Sequence, residues 1–204
     1  LYLVTDLDLA AGRPLDEIVR GAIEGGVTMV QYRDKRSGTR AMVEGARAVL
    51  AVAREAGRPL LINDRVDVAL VTDADGVHLG QEDMSVAAAR RLLGPRRILG
   101  VTADGPEQAA QAERAGADYV GCNAVFATPT KSDTGVPLGL EGLRRLVAST
   151  ALPVVAIGGV NRSNAADLLG AGAAGLAVVS AIMGAREPRL AARELATAVA
   201  AARG

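Results

Sequence analysis

The chain has 204 residues, half of them hydrophobic, and its 23 Lys and Arg balance 23 Asp and Glu to no formal net charge. That balance argues against a non-specific nucleic-acid or anionic-membrane binder, while leaving room for a local basic pocket. One cysteine, Cys122, rules out an intrachain disulfide framework and suits a reducing cytosol. No apolar run reaches the roughly 18 residues of a membrane span and no signal peptide is visible, so a cytoplasmic location is expected. The first residue is Leu1 rather than Met, which leaves room for native residues before it. The length suits a single domain over residues 1–204 with a substantial core. Since only 2% of residues are aromatic, that core must be built of Ala, Val, Leu and Ile.

Leu1–Thr5 is a short apolar run followed by Asp6. Pro14 and Asp16 introduce a helix with Ile18, Val19, Ala22 and Ile23 at helical spacing, and Gly25-Gly26 ends it. Val27–Gln31 reads as the second strand. Thr39–Ala56 reads as a long helix, with Val43, Ala46, Leu50 and Ala53 on one face and Gly57 as its stop. Pro59–Ile62 and Val77–Leu79 are the third and fourth strands, with a helical segment Val66–Val71 between them. Ser85–Leu93 is a helix and Arg97–Val101 the fifth strand. Pro106–Ala115 is the next helix, opened by Asp104-Gly105-Pro106 and closed by Gly116. Asp118–Cys122 is the sixth strand, Leu140–Val147 a helix and Val154–Ile157 the seventh strand. Ser163 is placed to cap a helix Asn164–Ala171, Gly175–Val179 is the eighth strand, and Pro188–Ala202 the closing helix.

Eight apolar strands thus alternate with helices, and the junction from helix to strand repeats as Gly25-Gly26, Gly116-Ala117 and Gly172-Ala173. Near-continuous apolar strands are what a parallel sheet covered on both faces requires. Eight such βα units close as a (β/α)8 TIM barrel, whose active sites lie at the C-terminal ends of the strands. An open doubly wound sheet is the alternative, but no G-x-G-x-x-G follows the first strand.

The residues just after the strands then form one surface. Leu61–Asp83 contains two apolar runs, one ending in Asn63-Asp64 and the other in Gln81-Glu82-Asp83. On adjacent parallel strands Asp64 and Asp83 leave the sheet on the same side and can hold one Mg²⁺. Asp is also a common helix cap, and the pattern alone leaves both readings open. Gln31, Arg33 and Lys35 share a side if the second strand continues, and cations aimed into a barrel mouth suggest a phosphate or pyrophosphate. Thr128, Thr130 and Lys131, among turn residues, read as a phosphate clamp. Gly158-Gly159-Val160 and Ser180-Ala181 follow the seventh and eighth strands, the usual phosphate site of such barrels. His78, the only histidine, is expected to fill space in its strand rather than act as a base, and Cys122 to be a small buried residue. No Ser-His-Asp set can be assembled.

These motifs resemble the thiamine-phosphate synthase (thiamine-phosphate pyrophosphorylase) family, from Leu1 to about Met183. The matching stretches are QYRDK at 31–35, IND at 62–64, DGVHLGQED at 75–83, GVTA at 100–103, TPTK at 128–131, AIGGV at 156–160 and VVSAI at 178–182. The family joins a hydroxymethylpyrimidine pyrophosphate to a thiazole phosphate, giving thiamine phosphate and pyrophosphate. By position, the resemblance implies that Gln31, Arg33, Lys35 and Asn63 bind the pyrimidine substrate and that Asp64 and Asp83 hold Mg²⁺. It also implies that Thr128 and Thr130 hold the thiazole phosphate, that Lys131 reaches the pyrophosphate, and that Gly159, Val179 and Ser180 offer the second phosphate site. Arg33, Lys35, Lys131 and Thr102 would be the catalytic set, Thr102 standing where the family more often has Ser. Asn123-Ala124 and Ala127-Thr128 depart from the family's usual prolines before the clamp. The family's dissociative route, through a pyrimidine cation captured by the thiazole nitrogen, needs no protein nucleophile. The expected partners are small molecules, without nucleic acid or membrane, and homo-oligomerisation is left open. The rivals are a thiazole tautomerase-like isomerase, which needs neither the acid pair nor the QYRDK cations, and a non-catalytic phosphate-ligand binding protein.

Overall fold

The computed structural model describes residues 1–128 and 136–203. Eight parallel strands close a barrel in sequence order, the last pairing with the first. They are β1 (Tyr2–Val4), β2 (Met29–Tyr32), β3 (Leu60–Asn63), β4 (Gly76–Leu79), β5 (Ile98–Ala103), β6 (Tyr119–Ala124), β7 (Val154–Ile157) and β8 (Gly175–Val178). The helices are α1 (Leu7–Ala10), α2 (Leu15–Glu24), α3 (Thr39–Glu55), α4 (Val66–Thr72), α5 (Val86–Leu93), α6 (Pro106–Arg114), α7 (Gly139–Ala148), α8 (Ala165–Gly170), α9 (Ser180–Met183) and α10 (Pro188–Ala201). The expected TIM barrel is therefore the fold. No helix among the described residues is long and apolar enough to cross a membrane.

Apolar residues in succession along a strand serve two cores at once, because alternate side chains face opposite ways. Leu3, Val30, Leu60, Ile62, Val77 and Leu99 pack outward against the helices. Tyr2, Val4, Leu61, Tyr119 and Ala177 pack together in a separate inner cluster. Each fully buried Leu contributes about 2 kcal/mol of transfer free energy. The repeated glycine at the helix-to-strand junctions has a backbone cause: Gly26, Gly116 and Gly172 sit at φ of 111°, 92° and 99°.

The inner cluster also explains a glycine within a strand. A Cβ on Gly100 of β5 would lie 2.1 Å from Cζ of Tyr119 on β6. That ring occupies the space a side chain would take. Gly100→Ala should therefore cost about 2 kcal/mol by overpacking, read as a lower urea midpoint at unchanged slope. An unchanged midpoint would mean that the ring moves aside freely.

Two short helices were not foreseen, and two expectations are corrected. α1 and α9, four residues each, are too short to show a helical period. The Asp6 side chain caps α1 by accepting from the amides of Asp8 and Leu9 at 3.0 and 3.1 Å. Val179, expected to end β8, has already turned at φ −117°, ψ −84° to open α9. Ser163 caps nothing: α8 starts after Asn164 without a side-chain cap bond, and the Ser163 hydroxyl donates to Asn161 Oδ1 at 2.6 Å. The position before the helix is taken by Asn164, one residue further on.

Candidate active site

A cavity of about 1020 Å³, counted out to its open mouth, occupies the C-terminal end of the barrel. Tyr2 and Tyr119 line its floor, and Arg33, Asn63, Gly159 and Ser180 are among the residues nearer its mouth.

A line of hydrogen bonds crosses the barrel within it. Gln31 Nε2 donates to the Tyr2 hydroxyl at 2.7 Å, and the hydroxyls of Tyr2 and Tyr119 are 3.0 Å apart. Tyr119 OH is 2.7 Å from His78 Nδ1, and His78 Nε2 is 2.9 Å from Thr102 Oγ1. Burial pushes the Tyr2 phenol up to about 12 and that of Tyr119 well above its usual value, so both keep their hydrogens. His78 is accordingly an interior histidine, which decides between the barrel interior and the outer face that its strand position left open. Tyr2 and Tyr119 were missed. Their signal was faint: all three tyrosines stand in barrel strands, and only the packing separates the inward Tyr2 and Tyr119 from Tyr32, which packs with the outer core.

β2 ends at Tyr32, yet its continuation still sends cations to the mouth. The Arg33 amide donates to the buried Thr5 hydroxyl at 2.9 Å, and its guanidinium pairs with Asp6 at 3.2 Å. Asp34 turns inward and shapes the loop, accepting from the amides of Arg36 and Ser37, both at 2.9 Å. Its burial opposes ionisation, but those amides overcome it and hold the carboxyl below the usual range.

Lys35 reaches the acid pair: its ammonium lies 2.5 Å from Asp64 Oδ2. Asp64 leaves β3 at φ 63°, a left-handed conformation that Asp tolerates better than most residues. Asp83 accepts from the Gly80 amide at 2.7 Å. Its carboxyl is held above the usual range by burial and, next, by the Asp64 carboxyl beside it. The two acids expected on one side of adjacent strands do therefore meet. The cap reading fails, since α4 and α5 begin after Arg65 and Ser85, neither end with a side-chain cap bond. Among the described residues no third His, Cys, Asp or Glu joins them as a metal-holding group.

Asn63 and Thr102 line the same cavity, and Gln81 Nε2 donates to the Thr102 carbonyl. Thr128 lines it too, on a loop whose base is closed by Leu138 N to Ala124 O and Gly139 N to Val125 O, each 2.9 Å. Thr130 and Lys131 lie outside the described residues. Opposite, Asn161 and Asn164 both donate side-chain N–H to the Gly159 carbonyl, at 3.1 and 2.9 Å, fixing the turn after β7. Val179 and Ser180 follow at the start of α9. That short helix is held by Arg13, whose guanidinium donates to the carbonyls of Leu9 and Ala10 in α1 and of Met183 and Ala185 at the end of α9. Cys122 is buried and its thiol is pushed up to about 11 by burial, which leaves it inert, as expected.

A family model described as thiamine monophosphate synthase matches residues 1–182. The chain belongs to the thiamine monophosphate synthase family. A thiamine-phosphate synthase of Chloroflexus aurantiacus is 53% identical, over 96% of this chain and 90% of the relative. One from Moorella thermoacetica is 49% identical, over 100% and 97%. The solved thiamine phosphate pyrophosphorylase of Pyrococcus furiosus superposes with a TM-score of 0.90 at 44% identity, covering 100% of this chain and 96% of that one. The chain is accordingly a transferase of thiamine biosynthesis. A 3-hexulose-6-phosphate synthase, at TM-score 0.72 and 21% identity, shares the fold alone.

Proposed function

We propose that the chain condenses 4-amino-5-hydroxymethyl-2-methylpyrimidine pyrophosphate with 4-methyl-5-hydroxyethylthiazole phosphate, or its carboxylated form, to give thiamine phosphate and pyrophosphate. The observation that carries this reading is the meeting of Lys35, Asp64 and Asp83 beside the cavity that Gln31, Arg33 and Asn63 line. Positive charge is already drawn here: the Lys35 ammonium lies on Asp64, and the Asp83 carboxyl stands beside that of Asp64. The pair therefore suits Mg²⁺, which takes one or two carboxylates and leaves other positions to water and substrate phosphate. Bound there, the ion would neutralise charge on the leaving pyrophosphate.

The protein's own groups do the rest. Gln31 and Asn63 orient the pyrimidine. Arg33 and Lys35, with Lys131, stabilise the pyrophosphate as it departs with the electrons of the C–O bond. Departure leaves a benzylic-type pyrimidine cation, and the thiazole nitrogen supplies the electron pair that forms the new C–N bond. Thr128, and the backbone of Gly159, Val179 and Ser180, hold the thiazole phosphate, with Thr130 as the further ligand that the resemblance implies. Holding both partners in contact replaces a bimolecular encounter with a positioned one, so no protein nucleophile is required.

The test is direct. Purified protein, both substrates and Mg²⁺ should yield thiamine phosphate and pyrophosphate by mass spectrometry, with turnover abolished by a chelator. No thiamine phosphate would refute the reading, and undiminished turnover under chelation would refute the metal assignment.

A further inference from the structure

Five side chains on five different strands form one continuous line: Gln31, Tyr2, Tyr119, His78 and Thr102. Both ends of the line, Gln31 and Thr102, line the cavity. A hydroxyl carries one hydrogen, and an imidazole in its uncharged form carries one N–H. Taken from the Gln31 end, and with every hydrogen given an acceptor within the line, these limits order the remaining links. Gln31 gives an Nε2 hydrogen to Tyr2. Tyr2 is then an acceptor on that side and has its single hydrogen for Tyr119. Tyr119 has its own for His78 Nδ1, the better base of that pair. His78 is left with its hydrogen on Nε2, which points at Thr102 Oγ1. Thr102 then accepts from the ring and keeps its own hydrogen for another partner.

We propose that His78 is a positioning residue: held by Tyr119 in the Nε2–H form, it turns the Thr102 hydroxyl hydrogen toward the cavity. The line also ties the orientation of Thr102 to that of the Gln31 amide across the barrel. Gln31 thus sets which end of the site donates. The opposite orientation of that amide would reverse every link and put the hydrogen of His78 on Nδ1. Gly100 serves the same line, because only its missing side chain lets the Tyr119 ring lie where it reaches both Tyr2 and His78.

The kinetic part of this inference rests on the function proposed above, whereas the tautomer does not. His78 is the only histidine, so a long-range ¹H–¹⁵N spectrum of ¹⁵N-labelled protein at about pH 8 reads it without ambiguity. The expected spectrum has a protonated Nε2 and an unprotonated, acceptor-type Nδ1. A protonated Nδ1, or shifts averaged between the two forms, would overturn the proposal. Tyr119→Phe removes the donor to Nδ1 while keeping the ring. It should release the fixed tautomer and lower kcat/KM for the pyrimidine pyrophosphate about tenfold, with KM for the thiazole phosphate unchanged. Equal losses for both substrates, or no loss, would reduce the line to a structural feature. The parent spectrum decides the tautomer whether or not Tyr119→Phe folds. Absence of turnover in the parent would sink the proposed function, and the spectrum alone would then uphold or overturn the positioning.

Discussion

Asp83→Asn is expected to leave the barrel folded and to lower Mg²⁺-supported turnover by at least about 100-fold. That is the upper end of the loss when a group merely supporting a metal ligand is removed, and a ligand itself should cost no less. The amide oxygen of the substituted side chain can still accept from Gly80 N–H, so the local turn survives. What disappears is one of two hard anionic oxygens beside Lys35. Stability should not suffer. The Asp83 carboxyl is raised in the folded protein, by burial and by Asp64, so the fold binds its proton more tightly than the unfolded chain does. Any stability it lends is present at low pH and lost as pH rises through the raised folded value. At neutral pH its charge is a liability that the substitution removes. Without metal, the variant should therefore melt no lower than the parent. Turnover against Mg²⁺ concentration, Mn²⁺ binding by electron paramagnetic resonance and a thermal melt test the three parts. Parent-level turnover at ordinary Mg²⁺ would refute the assignment.

Gly159→Val should weaken the thiazole phosphate about 100-fold while the pyrimidine pyrophosphate loses far less, since two charge-assisted backbone hydrogen bonds are worth about that much. Two causes act together. Gly159 sits at φ 64°, where a β-branched residue is strained by at least about 1–2 kcal/mol. A Cβ there would also lie 2.7 Å from Cβ of Phe126 and 3.1 Å from the Ala127 carbonyl oxygen. Valine would thus displace the segment before Thr128 as well as shield the backbone N–H groups after β7. In the proposed reading both effects fall on the thiazole phosphate, because Gln31, Asn63 and Lys35, assigned there to the pyrimidine substrate, belong to β2, β3 and the loop after β2. Calorimetry with each ligand separately decides it, and equal losses for the two would show that the glycine serves only the turn.

Much of this was legible along the chain. Apolar runs separated by helical periods and repeated Gly junctions specify eight parallel strands, because each run must cover two faces. The order of polar residues after those runs placed Gln31, Arg33, Asn63, Asp64, Asp83, Thr102, Thr128, Gly159 and Ser180 at one end of the barrel. The choice between metal ligand and helix cap for Asp64 and Asp83 stayed open along the chain, and only the caps actually adopted by α4 and α5 excluded the cap reading. The boundaries failed where elements are shortest. α1 and α9 hold one helical turn each, and Val179 leaves its strand because α9 begins there.

What the sequence determined by itself is the barrel, its end and the chemical types gathered there, since periodicity and strand order are local properties. What only the tertiary structure decided is who meets whom. Tyr2 and Tyr119 are 117 residues apart and touch because closure sets β1 across from β6. Closure fixes the stagger of the strands, and the stagger selects which inward side chains share a level. The same geometry lays Lys35 on Asp64, 29 residues away, rather than leaving it in solvent. A pattern of alternation says which face a residue takes; it carries no information about the height at which another strand's residue will stand opposite.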